Sequence, residues 1–208
     1  MNRNRSIIRD ALPVLAGVAI CCLLLSTGCN LFEAREAQPP VTDDRVPYRP
    51  PNDAAGVFAN LRSGIENLAQ GQNYERSLAD LFVFIPLDQD AIDPSLPPGI
   101  FDNWTKDVEM QVLQLMISES SAATVTFRST PQINENDFVQ FRVTYVLNLT
   151  AKAGGAETEI QGVAEMGVRR IAGIWQLEQW RDIERVESFT TWGFLRGTLR
   201  AKLGGAGL

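Results

Sequence analysis

From Val139 to Leu149 the chain alternates: Val139, Phe141, Val143, Tyr145, Leu147 and Leu149 share one side, while Gln140, Arg142, Thr144 and Asn148 share the other. A period of two places every second side chain on the same face, so the stretch predicts a long strand with one buried face. Lys152-Ala153-Gly154-Gly155-Ala156 supplies a turn. The return run puts Ile160, Gly162, Ala164, Met166 and Val168 on one side. Ala172-Gly173 turns again into Ile174–Asp182, and upstream Val125 and Phe127 alternate with Thr124, Thr126 and Arg128. Strands joined by tight Gly-containing turns make an antiparallel meander.

The region before the meander has helical spacing. Asn52 or Asp53 can cap a helix with Val57, Phe58, Leu61, Ile65 and Leu68 on one face and Gly71 as its stop. A short helical turn around Tyr74–Asp80 leads to the β-type run Leu81–Ile85, ended by Pro86. Asp88–Gly99 reads as an irregular, Pro-containing loop. Asp102 or Asn103 can cap another helix, with Trp104, Val108, Val112 and Leu115 along one face. Helices first and strands later predict an α+β fold with helices packed on one face of an antiparallel sheet.

The first thirty residues have a different logic. Arg3, Arg5 and Arg9 precede an apolar run from Ala11 to Leu25. A spanning helix needs about 20 apolar residues, so this run has signal-peptide length. Ser26, Thr27 and Gly28 then lead to Cys29. The layout resembles the lipobox of bacterial lipoproteins, which implies cleavage between Gly28 and Cys29 and a diacylglyceryl group on Cys29. Ser26 departs from the usual Leu at −3, with Leu25 one place earlier. Residues 1–28 are then a signal peptide and 29–51, with Pro39, Pro40, Pro47, Pro50 and Pro51, a tether. The folded domain is expected over 52–203, with a frayed tail at 204–208. The expected location is the cell envelope. In a Gram-negative host, Asn30 after the cysteine implies the periplasmic face of the outer membrane.

Composition excludes several chemistries. The chain has no histidine, which removes imidazole acid–base catalysis, Ser-His-Asp triads and His-ligated metals. Its three cysteines, Cys21, Cys22 and Cys29, all precede the domain, so a domain disulfide is excluded. The net charge is −6, more negative once the leader's arginines leave, which argues against nucleic acid as a partner. No cofactor is expected.

The order of a long helix, Tyr74-x-x-Ser77-Leu78-Ala79-Asp80-Leu81-Phe82-Val83-Phe84, a second helix and a closing meander resembles the nuclear-transport-factor-2-like superfamily, also called SnoaL-like or cystatin-like α+β. The resemblance covers about residues 52–185. It implies a curved sheet wrapped around a helix as a cone, whose cavity serves as active site, ligand pocket or packed core. Phe82, Phe84, Trp104, Tyr145 and Trp180 are the aromatics expected to border that cavity; their spacing equally fits ordinary core. Ketosteroid isomerase, in this group, uses a buried Asp with an oxyanion donor. Arg181-Asp182 ends a strand, with Glu178 just before it, and Tyr145 is the one donor that pattern places. No catalytic motif of those enzymes aligns onto these residues, and a rim ion pair or strand-edge charge is the plainer account. Asp88, Asp90 and Asp93 alternate but lack a calcium loop's Gly turn and distal Glu, so a solvated loop is expected. Arg196, Arg200 and Lys202 are expected to complement the dipole of a final helix.

The expectation is a non-catalytic, membrane-anchored lipoprotein that binds a small apolar ligand or a protein partner. An enzyme using a buried carboxylate and a structural envelope-assembly protein are the alternatives.

Overall fold

A computed structural model of the chain describes residues 47–68 and 71–205. Gly28, Cys29 and the expected tether as far as residue 46 lie outside them. The elements are α1 (Gly56–Glu66), α2 (Gly71–Ser77), β1 (Leu78–Ile85), α3 (Asp88–Ala91), α4 (Lys106–Glu119), β2 (Ser120–Glu135), β3 (Phe138–Ala151), β4 (Glu157–Ile171), β5 (Ile174–Arg185) and α5 (Trp192–Gly205).

The alternation that predicts the meander does produce it. β2, β3, β4 and β5 pair antiparallel in order, with Val143 opposite Ala164 and Met166 opposite Trp180. At the tight turn, Ala172 and Gly173 both take positive φ (51° and 85°), the backbone that matches the twist of a two-residue hairpin. β1 closes the five-stranded sheet on the far side, in the order β1-β5-β4-β3-β2, and runs parallel to β5. Register shifts in β2–β3 and β4–β5 mark bulges, which bend a sheet and increase its twist.

α1 lies on this sheet through the face its spacing predicts: Val57, Leu61 and Ile65 are fully buried. Phe58 meets Phe141 edge-on at 5.2 Å. Each such side chain contributes about 1.5–3 kcal/mol through burial. The Asp53 carboxylate accepts the Gly56 N–H at 2.8 Å in the turn that leads into the helix, whose N-cap position is Ala55 rather than Asn52 or Asp53. At the other end Glu66 accepts the Val125 N–H at 3.1 Å and ties the helix to β2.

Several boundaries differ from expectation. α1 stops at Glu66, and Gly71 begins α2 rather than ending α1. β1 starts at Leu78, three residues early, because β5 offers it a pairing partner. The helix after the irregular loop is capped at Thr105, not Asp102 or Asn103; Asn103 instead takes positive φ (54°) in the loop. α5 continues through Gly204 and Gly205. Before α1, the chain from Pro47 already packs on the domain. The Tyr48 hydroxyl donates to the Arg76 carbonyl, and Asn60 Nδ2 donates to the Arg49 carbonyl at 2.7 Å.

Candidate functional site

α4 presents Val112, Leu113 and Met116 to the core, and on the same face one turn earlier it presents Glu109. A carboxylate there is 2% exposed and must find donors or be neutralised. It finds three side chains. The Tyr74 hydroxyl donates to it at 2.6 Å, and the Trp104 indole N–H at 2.8 Å. Arg196, from the second turn of α5, donates through Nε at 3.0 and 3.1 Å and through Nη2 at 2.7 Å.

The Arg196 side chain is fully buried. Its Cζ lies 4.2 Å from the ring centroids of both Phe84 and Trp180 and 5.0 Å from that of Trp192. The guanidinium is thus held edge-on by a carboxylate and face-on by aromatic rings, whose negative faces attract a cation. Its Nη1 has no hydrogen-bond acceptor. Against the desolvation that would lower its pKa, Glu109 holds it further up. Burial, with Glu109 next, drives the Tyr74 hydroxyl well above its usual range.

A second polar group lies under the first turn of α5. Asp182, 2% exposed near the end of β5, accepts the Trp180 indole N–H at 2.8 Å and the Gly193 N–H at 2.9 Å. Burial pushes its pKa up to about 6, against the lowering by Arg196, Trp180 and Gly193. The Tyr145 hydroxyl accepts the Trp192 N–H at 3.1 Å. Burial and then Asp182 raise the Tyr145 pKa far above its ordinary value. Asp90, from α3, accepts from Arg185 at 2.6 Å and from the Thr191 hydroxyl. Thr191 Oγ in turn accepts the Phe194 N–H at 3.0 Å, capping α5. Gly193 sits between the two aspartates: a Cβ there would lie 2.9 Å from Asp182 Oδ2 and 3.1 Å from Asp90 Oδ2. A larger residue would push the helix away.

The five aromatics expected at the cavity are all buried: Phe82 1%, Phe84 4%, Trp104 3%, Tyr145 0% and Trp180 0% exposed. Phe84 meets Trp104 at 5.4 Å, and Tyr145 meets Trp180 at 5.8 Å. The space between these pairs is taken by Arg196 and Trp192. Trp192 meets Trp180 edge-on at 4.7 Å and stacks on Phe127 at 6.2 Å. Three grooves lined by described residues, of about 330, 390 and 320 Å³, lie along α1, between α2 and α4, and between α4 and α5. None is lined by any of the five.

Other expectations change. Asp182 is a buried acceptor rather than a strand-edge charge. Asp90 turns fully inward while Asp93 folds onto Ser95, so the alternating aspartates do not share a loop surface. Among the described residues no cluster of carboxylates is arranged to hold a metal. Arg196 is buried instead of flanking the last turn. Arg200 donates to the Ile100 and Asp102 carbonyls, and Lys202 pairs with Glu119 at 2.7 Å. Glu109, Arg196 and Trp192 lie outside the residues expected to border the cavity. Their signal was available: Glu109 lies three and four residues before Val112 and Leu113, and Arg196 lies between Trp192 and Leu199 on one helical face.

No protein-family model matches this chain, and no curated protein matches it. Solved structures do. A protein from Kribbella flavida superimposes with a TM-score of 0.52 at 12% identity, over 69% of this chain and 93% of its own. A Novosphingobium aromaticivorans structure named for scytalone dehydratase gives 0.51 at 7% identity, over 67% and 90%. Another from that organism, named for an aromatic ring hydroxylase, gives 0.51 at 13%, over 62% and 85%. At these identities the likeness concerns the fold alone. It is the nuclear-transport-factor-2-like, SnoaL-like α+β fold, as the order of elements implies.

Proposed function

We propose that this chain is a lipid-anchored envelope lipoprotein, held through Cys29, whose domain is a non-catalytic module that binds a protein partner on its outer surface. The observation that carries the proposal is the occupied interior. Arg196, Trp192 and the first turn of α5 fill the space where an apolar ligand or a reacting substrate would sit. With α5 seated, the surface open to a protein partner is the outer one.

Outside, the edge strand β1 carries exposed Leu81 (82%), Val83 (43%) and Ile85 (39%) in alternation, with Ile92 (81%) beyond its end. An apolar stripe on a sheet edge favours association with another protein. The anchor rests on the basic leader, the apolar run and the small residues before Cys29. A photo-crosslinking residue at Leu81 in cells should give discrete adducts, weakened by Val83→Asp, while one at exposed Thr126 gives none. Equal, diffuse labelling at both positions contradicts the proposal. For the anchor, fatty-acid labelling of the wild type must disappear in Cys29→Ser.

One observation favours the enzyme reading as a second choice: a desolvated Asp182 beside Tyr145 in an aromatic interior is the pairing that proton abstraction next to a carbonyl uses. Both groups are engaged by α5 backbone amides, Gly193 N–H and Trp192 N–H. This reading therefore requires the first turn of α5 to move.

A further inference from the structure

The seat of the Arg196 guanidinium is built almost entirely by other parts of the chain. Tyr74 comes from α2, Phe84 from β1, Trp104 from the loop before α4, Glu109 from α4 and Trp180 from β5; only Trp192 belongs to α5. Tyr74 and Trp104 hold the Glu109 carboxylate in place independently of Arg196. Asp182 adds a second buried carboxylate under the same helix, whereas Asp90 is already paired with Arg185. Without the α5 side chain, the chamber is an anionic, aromatic-walled cup, which suits a cation and repels an anion.

α5 itself is a weak helix. Gly193, Gly197, Thr198, Gly204 and Gly205 are all poor helix formers. Beyond Gly193, the large side chains it buries fully are Arg196 and Leu199, while Phe194, Leu195, Arg200 and Leu203 stay partly exposed. When Arg196 leaves, it regains its hydration, so the ion pair holds the helix less firmly than its short distances suggest. Trp192, packed on Trp180 and Phe127, can stay behind with Gly193 as the hinge.

We propose that the chamber closed by α5 is a receptor for a small alkylguanidinium ligand, with Arg196 as its resident internal ligand and Phe194–Gly205 as the segment that gives way. The guanidinium class follows from the seat. The flat group fits between Phe84 and Trp180, and the carboxylate of Glu109 meets a two-nitrogen edge. An alkylammonium of the same length has neither the edge nor the flat face. The site is separate from the β1 stripe, so failure at one does not decide the other.

The test uses the full chain in detergent micelles with butylguanidinium as probe and butylammonium as control. In the wild type, hydrogen exchange of the α5 amides from Leu195 to Leu203 should quicken at least fivefold with saturating butylguanidinium. β3 and β4 amides should not change, and butylammonium should have much less effect. Glu109→Gln should abolish the response. In Arg196→Ala, which vacates the seat, butylguanidinium should bind at least tenfold tighter than to the wild type. Unchanged α5 exchange in the wild type overturns the proposal, even if Arg196→Ala binds the probe, because α5 is then a permanent plug. Equal acceleration of all amides, or a folded Arg196→Ala that takes no probe, overturns it as well. If Arg196→Ala does not fold, the wild-type and Glu109→Gln exchange decides.

Discussion

The two ends of this core are built on opposite principles. Under α1, Val57, Phe58, Leu61 and Ile65 join Val125, Phe141, Val143 and Leu147 in one buried apolar cluster. Under α5, the same sheet meets Glu109, Arg196, Asp182, Asp90 and Tyr145, all buried. The apolar end is held by area removed from water, which is non-directional and tolerant of small shifts. The polar end is held by donors and acceptors that must all be matched, because an orphaned charge there is far more costly than a lost methyl group. One end thus specifies that the chain collapses, and the other specifies which helix closes it and in what register.

Single substitutions should expose that contrast. The largest effect is expected at the polar end. Glu109→Gln keeps the shape but leaves the Arg196 charge buried without its partner, which should cost about 3–5 kcal/mol of unfolding free energy by urea titration. At the apolar end, Leu61→Ala should cost about 3 kcal/mol by the same titration, through lost burial and a residual cavity, and should be insensitive to pH and salt. If Glu109→Gln were the milder change, the contrast would fail.

pH sharpens the comparison further. The buried Asp182 carboxyl has its pKa pushed from 3.8 up to about 6, so the folded state holds that proton more tightly than the unfolded chain. Its contribution is complete below about pH 4 and is lost as pH rises through 6. Stability should therefore increase on acidification from pH 7 to about 4, by on the order of 2–3 kcal/mol, and Asp182→Asn should flatten that slope. A wild-type profile that falls across this window contradicts the assignment. The smallest effect is expected on the solvent face of the sheet. There Glu184 meets Arg142 at 2.7 Å with both half exposed, and Glu184→Ala should change stability by less than about 0.5 kcal/mol.

The same division explains what could be read in advance. The strands β2–β5 and the inward face of α1 were legible because their signal is periodic and local: Val139 to Leu149 carries its own burial pattern. β1 pairing in parallel with β5 was not, since Phe84 and Trp180 are brought together from distant parts of the chain. The polar site was hidden for a similar reason. Glu109 and Arg196 are 87 positions apart, so the apolar stripe of each helix shows a charge but not the partner that it meets. Tyr145 and Trp180 are buried, but their spacing carries no sign that a guanidinium from the end of the chain occupies the room beside them.

The central claim is that α5 closes the cone by seating Arg196 on Glu109, and a double-mutant cycle addresses it most directly. Unfolding free energies of the wild type, Glu109→Gln, Arg196→Met and the double variant measure the coupling between these side chains. The account predicts strong non-additivity: the double variant is destabilised by at least about 2 kcal/mol less than the sum of the two single variants. Additivity within about 0.5 kcal/mol would mean that the two groups do not meet, and that the interior is not closed in this way.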